Sequence, residues 1–206
     1  FYKNENIREK KLFKNGKVNG IETIYFDNGF KYREENVLND IYVGEGRVFY
    51  KVNDNKNPFE LTAEQGPIKS LYKLKNSELN GQYIDYGLSY LDGTEYKIFR
   101  PEANDQLRLN NEFFLNGSFD LDGQGVLWSS WKAREGVYIN GIENGLRTTF
   151  YENGTIYSEL NYIDGKREGE GKFYYKLKDK KQGPIEIICY YKNDSLNGEF
   201  ITYGED

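Results

Sequence analysis

The sequence contains no histidine, no methionine, four prolines and a single cysteine. Without histidine the chain lacks the most common general base and metal ligand, which excludes Ser-His-Asp and Cys-His catalysis. Cys189 cannot form an intramolecular disulfide, and its apolar surroundings in IEIICYY predict a buried thiol. No apolar run approaches the roughly 18 residues of a membrane-spanning helix. We therefore expect neither an enzyme nor a cofactor or metal site.

The chain has no excess of positive charge, because its 28 Lys and Arg are outnumbered by 33 Asp and Glu, giving a net charge of -5. Nucleic acids and anionic lipid surfaces both attract proteins through Lys and Arg. The net charge therefore disfavours a nucleic-acid partner and a membrane-surface role. A protein is the partner we expect.

Aromatic residues and glycine are abundant, with 19 Tyr, 13 Phe and 22 Gly among 206 residues. Disordered chains are poor in aromatic residues, so the composition predicts a folded chain that uses rings in its core. Most of the glycines follow Asn, Asp or Glu. Asn-Gly and Asp-Gly tolerate the positive φ angles of type I′ turns, which connect the strands of β-hairpins.

The chain contains a long internal duplication. The 39 residues that begin at Phe13, FKNGKVNGIETIYFDNGFKYREENVLNDIYVGEGRVFYK, match the stretch that begins at Tyr138 at 15 positions. The match continues with QGPIKSLYKLKNSELNGQYIDYG, from Gln65, which agrees with the stretch from Gln182 at 12 of 23 positions. The separation of the copies falls from 125 to 117 residues because the first copy carries eight extra residues near NDNKNPFELTAE.

This duplication predicts one repeat domain over residues 1–206, with copies at 13–87 and 138–204 and an irregular centre at 88–137. Each copy contains a shorter unit: an aromatic residue, one further residue, Asn/Asp-Gly, a strand-like run, Glu/Asp-Asn-Gly and a second run. Two runs and two turns make one β-hairpin per unit. The predicted fold is all-β, an elongated antiparallel sheet of tandem β-hairpins.

The unit resembles the MORN repeat, the membrane occupation and recognition nexus motif. The resemblance is carried by YINGIENGLRTTFYENG, YIDGKREGEGKFYYK and FKNGKVNGIETIYFDNG. These stretches are similar to the bacterial variant, the YwqK-type antitoxin-like repeat proteins. The resemblance implies a repeat solenoid and a role in binding or scaffolding rather than catalysis. It covers most of residues 1–87 and 113–206.

Residues that depart from the repeat are the better candidates for function, because recurring residues serve the scaffold. Trp128 and Trp131, the two tryptophans, both lie in the irregular centre, and Trp is favoured at binding hot spots. We take them as candidate anchors for a partner, with Tyr50, Tyr83 and Tyr174 as further candidate contacts. The alternative is that the two tryptophans fill the space where the repeat fails.

Acidic residues are the remaining candidates for a catalytic or metal site. Asp120 and Asp122 lie two residues apart in FDLDG and would share a face of a strand, as a carboxylate pair for glycoside hydrolysis requires. The same stretch lacks the remaining ligands of a calcium loop. Turn chemistry and solvated acids explain both residues more simply, so we predict no catalytic residue here.

The function that we expect is a non-catalytic protein–protein interaction or scaffold module. We favour a bacterial cell surface or another extracytoplasmic location over the cytoplasm. The alternative is an antitoxin or immunity-like protein that neutralises a toxin in the cytoplasm. A further alternative is carbohydrate or cell-wall binding by stacking of rings.

Overall fold

The structure is a computed structural model that describes residues 1–51, 68–92, 95–99, 128–177 and 181–204; for 88–92, 95–99 and 128–130 it describes the backbone alone. The described residues form sixteen strands in one open antiparallel sheet, and none of them is helical. The strands before residue 100 are β1 (Glu9–Lys10), β2 (Phe13–Lys14), β3 (Lys17–Tyr25), β4 (Lys31–Leu38), β5 (Ile41–Phe49), β6 (Ile68–Lys75), β7 (Glu78–Leu79), β8 (Gly81–Asp92) and β9 (Glu95–Phe99). Those after residue 127 are β10 (Trp128–Ile139), β11 (Ile142–Glu143), β12 (Gly145–Phe150), β13 (Ile156–Ile163), β14 (Lys166–Tyr174), β15 (Ile185–Lys192) and β16 (Ser195–Thr202).

The strands follow one another through the sheet almost in sequence order. The main path runs β1-β3-β4-β5-β6-β8-β10-β12-β13-β14-β15-β16, and the short strands β2, β7, β9 and β11 pair beside it. The two copies meet where β8 pairs with β10. The prediction of an all-β fold with an antiparallel sheet made of hairpins is therefore confirmed, and the sheet is open.

The hydrogen-bond register of the first copy recurs in the second. Gly20 pairs with Val37 across β3 and β4, and Gly145 pairs with Tyr162 at the equivalent place in β12 and β13. The β-bulges recur as well, because the register shifts between Val48 and Phe49 and again between the equivalent residues of β14. The repeated sequence therefore sets the pairing of the strands, including its irregularities.

Two-residue turns join consecutive strands at one end of the strands. We call this row of turns the turn edge. Both central residues of each turn have positive φ, the type I′ conformation whose twist suits a hairpin. An Asn or Asp occupies the first position every time, because these residues tolerate left-handed backbone. The turns are Asn15-Gly16, Asn39-Asp40, Asn76-Ser77, Asn140-Gly141, Asp164-Gly165 and Asn193-Asp194.

Each of these turns is bonded to the turn before it. The N–H of the second turn residue donates to the carbonyl oxygen that lies two residues past the preceding turn. The bonds run from Asp40 to Val18 (3.1 Å), Ser77 to Tyr42 (2.9 Å), Gly141 to Leu79 (2.8 Å), Gly165 to Glu143 (2.9 Å) and Asp194 to Arg167 (3.1 Å). The bond from Gly141 to Leu79 joins the two copies, so this ladder continues across the centre of the chain.

The core is formed by rings that lie across glycines of the neighbouring strand. Tyr72 is paired with Gly46, and a Cβ atom added to that glycine would lie 2.3 Å from the ring. Tyr83 covers Gly136 in the same way, with a distance of 2.8 Å. Among the described residues no second layer covers the sheet, so these rings are buried within its own face, where glycine provides the space.

Gly46→Ala is expected to destabilise the fold by about 1–3 kcal/mol, because the new methyl group displaces the Tyr72 ring from a packed position. Urea denaturation measures the change. Gly204→Ala is the matched control, since a Cβ atom there meets nothing within 4 Å. Equal unfolding midpoints for the two variants would show that the contact between ring and glycine does not stabilise the sheet.

Candidate binding surface

The two faces of the sheet differ in chemistry. One, which we call the aromatic face, carries the buried rings and the glycines opposite them: Tyr72, Tyr83, Trp131, Tyr162, Gly46, Gly87 and Gly136. The other, the charged face, carries residues such as Glu34, Arg47, Glu135, Glu170 and Lys172. Its ion pairs, such as Lys172 with Glu170 at 2.8 Å, lie in water and contribute little to stability.

The place where β8 pairs with β10, which we call the central junction, holds a partly buried hydrogen-bond network. The Tyr83 hydroxyl donates to Glu143 Oε1 at 2.5 Å, and Arg147 Nη1 donates to Glu143 Oε2 at 3.3 Å. Burial and the nearby Glu143 carboxylate raise the pKa of Tyr83. The hydroxyl therefore stays protonated and donates, which makes it unsuited to act as a base.

A buried ion pair lies beside this network. Arg134 Nε donates to Asp85 Oδ2 at 2.6 Å, and the Ser70 hydroxyl donates to Asp85 Oδ1 at 2.6 Å. Burial alone would lower the pKa of Arg134, but the Asp85 carboxylate outweighs burial and the pKa is raised. These hydrogen bonds link β6, β8 and β10, so the pair holds the three strands together.

One buried cluster differs as a set between the two copies. In the first copy the Tyr72 hydroxyl donates to Glu35 Oε1 at 2.6 Å, and Arg33 lies 3.2 Å from Glu35 Oε2. The equivalent positions of the second copy lack the phenol, the carboxylate and the guanidinium together. They hold Cys189, Leu160 and Ser158, all buried. A buried carboxylate without its donors would be costly, so the three residues change together.

The sequence-predicted binding residues mostly lie inside the fold. Tyr50 is buried, and its hydroxyl donates to the carbonyl oxygen of Tyr86 at 2.6 Å. Tyr83 belongs to the central junction, near Trp131 on the same face. Tyr174 lies far along the chain in β14, where its hydroxyl donates to Glu159 Oε2 at 2.5 Å. A contact between these residues and a partner stays a prediction.

The tryptophans lie on β10, at the central junction. Trp131 is only 9% exposed, and its ring covers Gly87 of β8. Its Nε1–H is buried and has no acceptor among the described residues. The backbone of Trp128 pairs with Tyr90. Trp131 thus packs where β8 and β10 pair, and a partner contact of either tryptophan stays a prediction. Asp120 and Asp122 lie outside the described residues.

An exposed apolar patch that was not predicted from the sequence lies on the charged face, beside the turn edge. Its members are Ile139, Ile142, Leu146 and Ile163, which are 51%, 47%, 53% and 50% exposed. Ile139 and Ile142 are cross-strand partners, and a Cβ atom on Gly165 of the next turn would lie 3.4 Å from Ile142. Comparing the copies position by position could have revealed the patch, because Lys14 and Lys17 of the first copy become isoleucines in the second.

No protein-family model matches the chain, and no curated protein matches it. Among the described residues, no group of His, Cys, Asp and Glu side chains is arranged to hold a metal ion. The same part of the chain contains no helix that is long and apolar enough to cross a membrane.

Tyr72→Phe is expected to destabilise the fold by about 1.5–3 kcal/mol, because it leaves the buried Glu35 carboxylate without one of its donors. Urea denaturation gives the value. The control is Tyr190→Phe, which removes a 3.1 Å hydrogen bond to Glu170 that lies in water, and it should leave the midpoint almost unchanged. Equal losses of stability in the two variants would show that burial of the Tyr72–Glu35 hydrogen bond does not increase its contribution to stability.

Stability should decline at high pH. Burial and a hydrogen bond to a carboxylate raise the pKa of Tyr42 and of Tyr174 to about 12, and burial also raises the pKa of Tyr72 and Tyr83. An unfolded tyrosine loses its proton near pH 10, so the unfolded state binds fewer protons above that pH. The stabilisation is complete below about pH 10 and is lost as the pH rises towards 12.

Urea midpoints measured from pH 8 to pH 12 test this expectation. The decline should be shallower in Tyr72→Phe than in the natural sequence, because one raised pKa has been removed. Parallel profiles for the two proteins would contradict the assignment to this tyrosine.

Proposed function

We propose that the chain is a non-catalytic protein-interaction module, a MORN-like scaffold of tandem hairpins that binds a protein partner through the apolar patch. The observation that carries the proposal is the exposure of four neighbouring aliphatic side chains, each about half exposed, on the charged face. Contiguous exposed apolar surface rimmed by polar residues is typical of protein-binding sites.

The four side chains adjoin one another on the sheet. Ile139 and Ile142 face each other across the β10–β11 hairpin. Leu146 pairs with Asn161, so Ile163, two residues further along β13, is its diagonal neighbour on the same face. Diagonal neighbours on a sheet are within reach of long side chains. The patch is therefore one surface rather than four scattered residues.

The duplication separates scaffold from surface. Ile21 and Leu38 of the first copy are equivalent to Leu146 and Ile163 and are equally exposed, so these two positions recur with the repeat. The two isoleucines at the β10–β11 turn replace lysines of the first copy. Since lysine serves the fold equally well at that place, the isoleucines are not needed for folding, and a binding role accounts for them.

The MORN-like character of the module is supported by the repeated register and by the ladder of turns along one edge. We place the module on a bacterial cell surface, where a scaffold would display the apolar patch to another protein. If the chain were instead an antitoxin, its partner would be a toxin. Identifying the partner therefore distinguishes a cell-surface scaffold from an antitoxin.

Ile142→Lys is expected to weaken binding of the partner about tenfold or more, as a central contact of an interface does. The substitution imports the residue of the first copy, Lys17, so the fold should be unaffected. Cross-linking in cells followed by mass spectrometry identifies the partner, and calorimetry on the purified pair gives the affinity.

Ile41→Lys is the matched control. It adds the same charge beside another turn, and the second copy carries a lysine at that position, Lys166. It should bind as the natural sequence does. Equal affinity of Ile142→Lys and the natural sequence would refute the proposed surface, and equal loss in both variants would show an effect of charge alone.

A further inference from the structure

Two residues past each turn of the turn edge, one backbone N–H group points away from its own hairpin. Asn80 N–H donates to the carbonyl oxygen of Lys73 inside its hairpin, at 2.8 Å. Hydrogen-bonded and non-bonded pairs alternate along an antiparallel ladder, so the N–H of the preceding residue, Leu79, is directed toward the next turn. The N–H of Glu143 is directed outward for the same reason, because Asn144 donates within its own hairpin.

Three other N–H groups at this position bind a side chain from the second residue of the next turn. The bonds run from Val18 to Asp40 Oδ1 (2.7 Å), from Tyr42 to Ser77 Oγ (3.1 Å) and from Arg167 to Asp194 Oδ1 (2.9 Å). The two bonds to carboxylates are shorter than the bond to the hydroxyl, as charge-assisted hydrogen bonds are. The chain itself therefore shows that an aspartate carboxylate fits beside this N–H group.

The N–H groups of Leu79 and Glu143 face glycines instead. Gly141 and Gly165 occupy the second position of the turns opposite them, and neither N–H has an acceptor among the described residues. A Cβ atom on Gly141 would meet nothing within 4 Å, and one on Gly165 would meet only Ile142, at 3.4 Å. The space that a carboxylate fills at the other turns is therefore open at these two.

The two open positions lie side by side on the turn edge. They are two strands apart on the path β8-β10-β12, which corresponds to about 10 Å. Described turns lie on both sides of them, so the openings arise from the glycines and not from an end of the sheet. The N–H of Glu143 directly follows Ile142, so this pair of donors adjoins the apolar patch.

We propose that the N–H groups of Leu79 and Glu143 bind two carboxylates of an acidic segment in the protein partner, in the manner of Asp40 and Asp194 at their own turns. The inference deepens the proposed function and rests on it, since the segment belongs to the partner that contacts the apolar patch. Water satisfies the two N–H groups in the free chain. A carboxylate that replaces the water forms a charge-assisted bond, so the site favours Asp and Glu over neutral side chains.

A variant that carries both Gly141→Asp and Gly165→Asp, which we call the capped variant, fills the two positions from within the chain. Asp40 is the first-copy equivalent of Gly165, so that substitution imports a residue of the repeat. The φ angles of Asp40 and Asp194 are 70° and 68°, close to the 79° and 76° of the two glycines. The turns should therefore accept aspartate without a change of fold.

The control is a variant that carries both Asn76→Asp and Asn140→Asp. It adds the same two charges at the first position of neighbouring turns, where Asp164 occurs naturally. Side chains at the first position do not cover the N–H groups of Leu79 and Glu143. The control therefore separates the effect of charge from the effect of capping.

Amide hydrogen exchange of the ¹⁵N-labelled whole chain tests whether the two N–H groups are open. Leu79 and Glu143 should exchange about tenfold faster than Tyr42 and Arg167, whose N–H groups are bonded to side chains. In the capped variant the difference should disappear. Equal exchange rates in the natural sequence would overturn the proposal, because the N–H groups would then already be covered.

Selection of short random peptides displayed on phage, with the whole chain as bait, tests the preference for carboxylates. Asp and Glu should be enriched about threefold among peptides selected on the natural sequence and on the control variant, and not on the capped variant. The proposal would be overturned by peptides without acidic enrichment, by equal enrichment on the capped variant, or by equal loss of enrichment in the capped and control variants.

Binding of the selected peptides to Ile142→Lys distinguishes this inference from the proposed function. Peptides that lose affinity for the capped variant and keep it for Ile142→Lys would refute the apolar patch and leave the two N–H groups as a binding site. Peptides that lose affinity only for Ile142→Lys would support the patch and refute the present inference.

Discussion

The contact between an aromatic ring and a glycine of the next strand is the interaction on which this sheet depends. The described residues form a single sheet without a second layer, so the rings are buried within the face of the sheet itself. Tyr72 packs over Gly46 and Tyr83 packs over Gly136. Because glycine has no side chain, it leaves space for the ring of the neighbouring strand. Each ring thereby bridges two strands, and the hydroxyl of tyrosine can still reach a carboxylate, as Tyr72 and Tyr83 do.

Once this contact holds neighbouring strands, the duplication leaves other positions free to change. The buried set of Tyr72, Glu35 and Arg33 could become Cys189, Leu160 and Ser158 because all three members changed and no buried charge was left alone. Exposed positions changed more freely, and lysines beside one turn became isoleucines beside its counterpart. The two copies can therefore be compared with each other: what both share serves the sheet, and exposed positions that they do not share are available for binding.

Repetition also explains why the edges of the sheet differ from its centre. At the turn edge every hairpin is bonded to the one before it, and the bond between Gly141 and Leu79 carries the ladder from one copy to the next. At the central junction the same pattern of glycine and aromatic residue closes on itself. The strand β16 repeats the pattern as Gly198-Glu199-Phe200, and among the described strands it pairs with β15.

The sequence by itself determined the strands, the turns and the duplication. These follow from local rules, since Asn-Gly and Asn-Asp adopt left-handed turns and equal sequences adopt equal registers. Only the tertiary structure decided which side chains are exposed on the surface. Tyr50, Tyr83 and Trp131 suggested binding residues by their type, yet neighbouring strands cover them, while the exposed isoleucines of the patch drew no attention. Tyr83 and Phe200 occupy the same local pattern, but one is buried and the other exposed, because burial depends on which strand lies alongside.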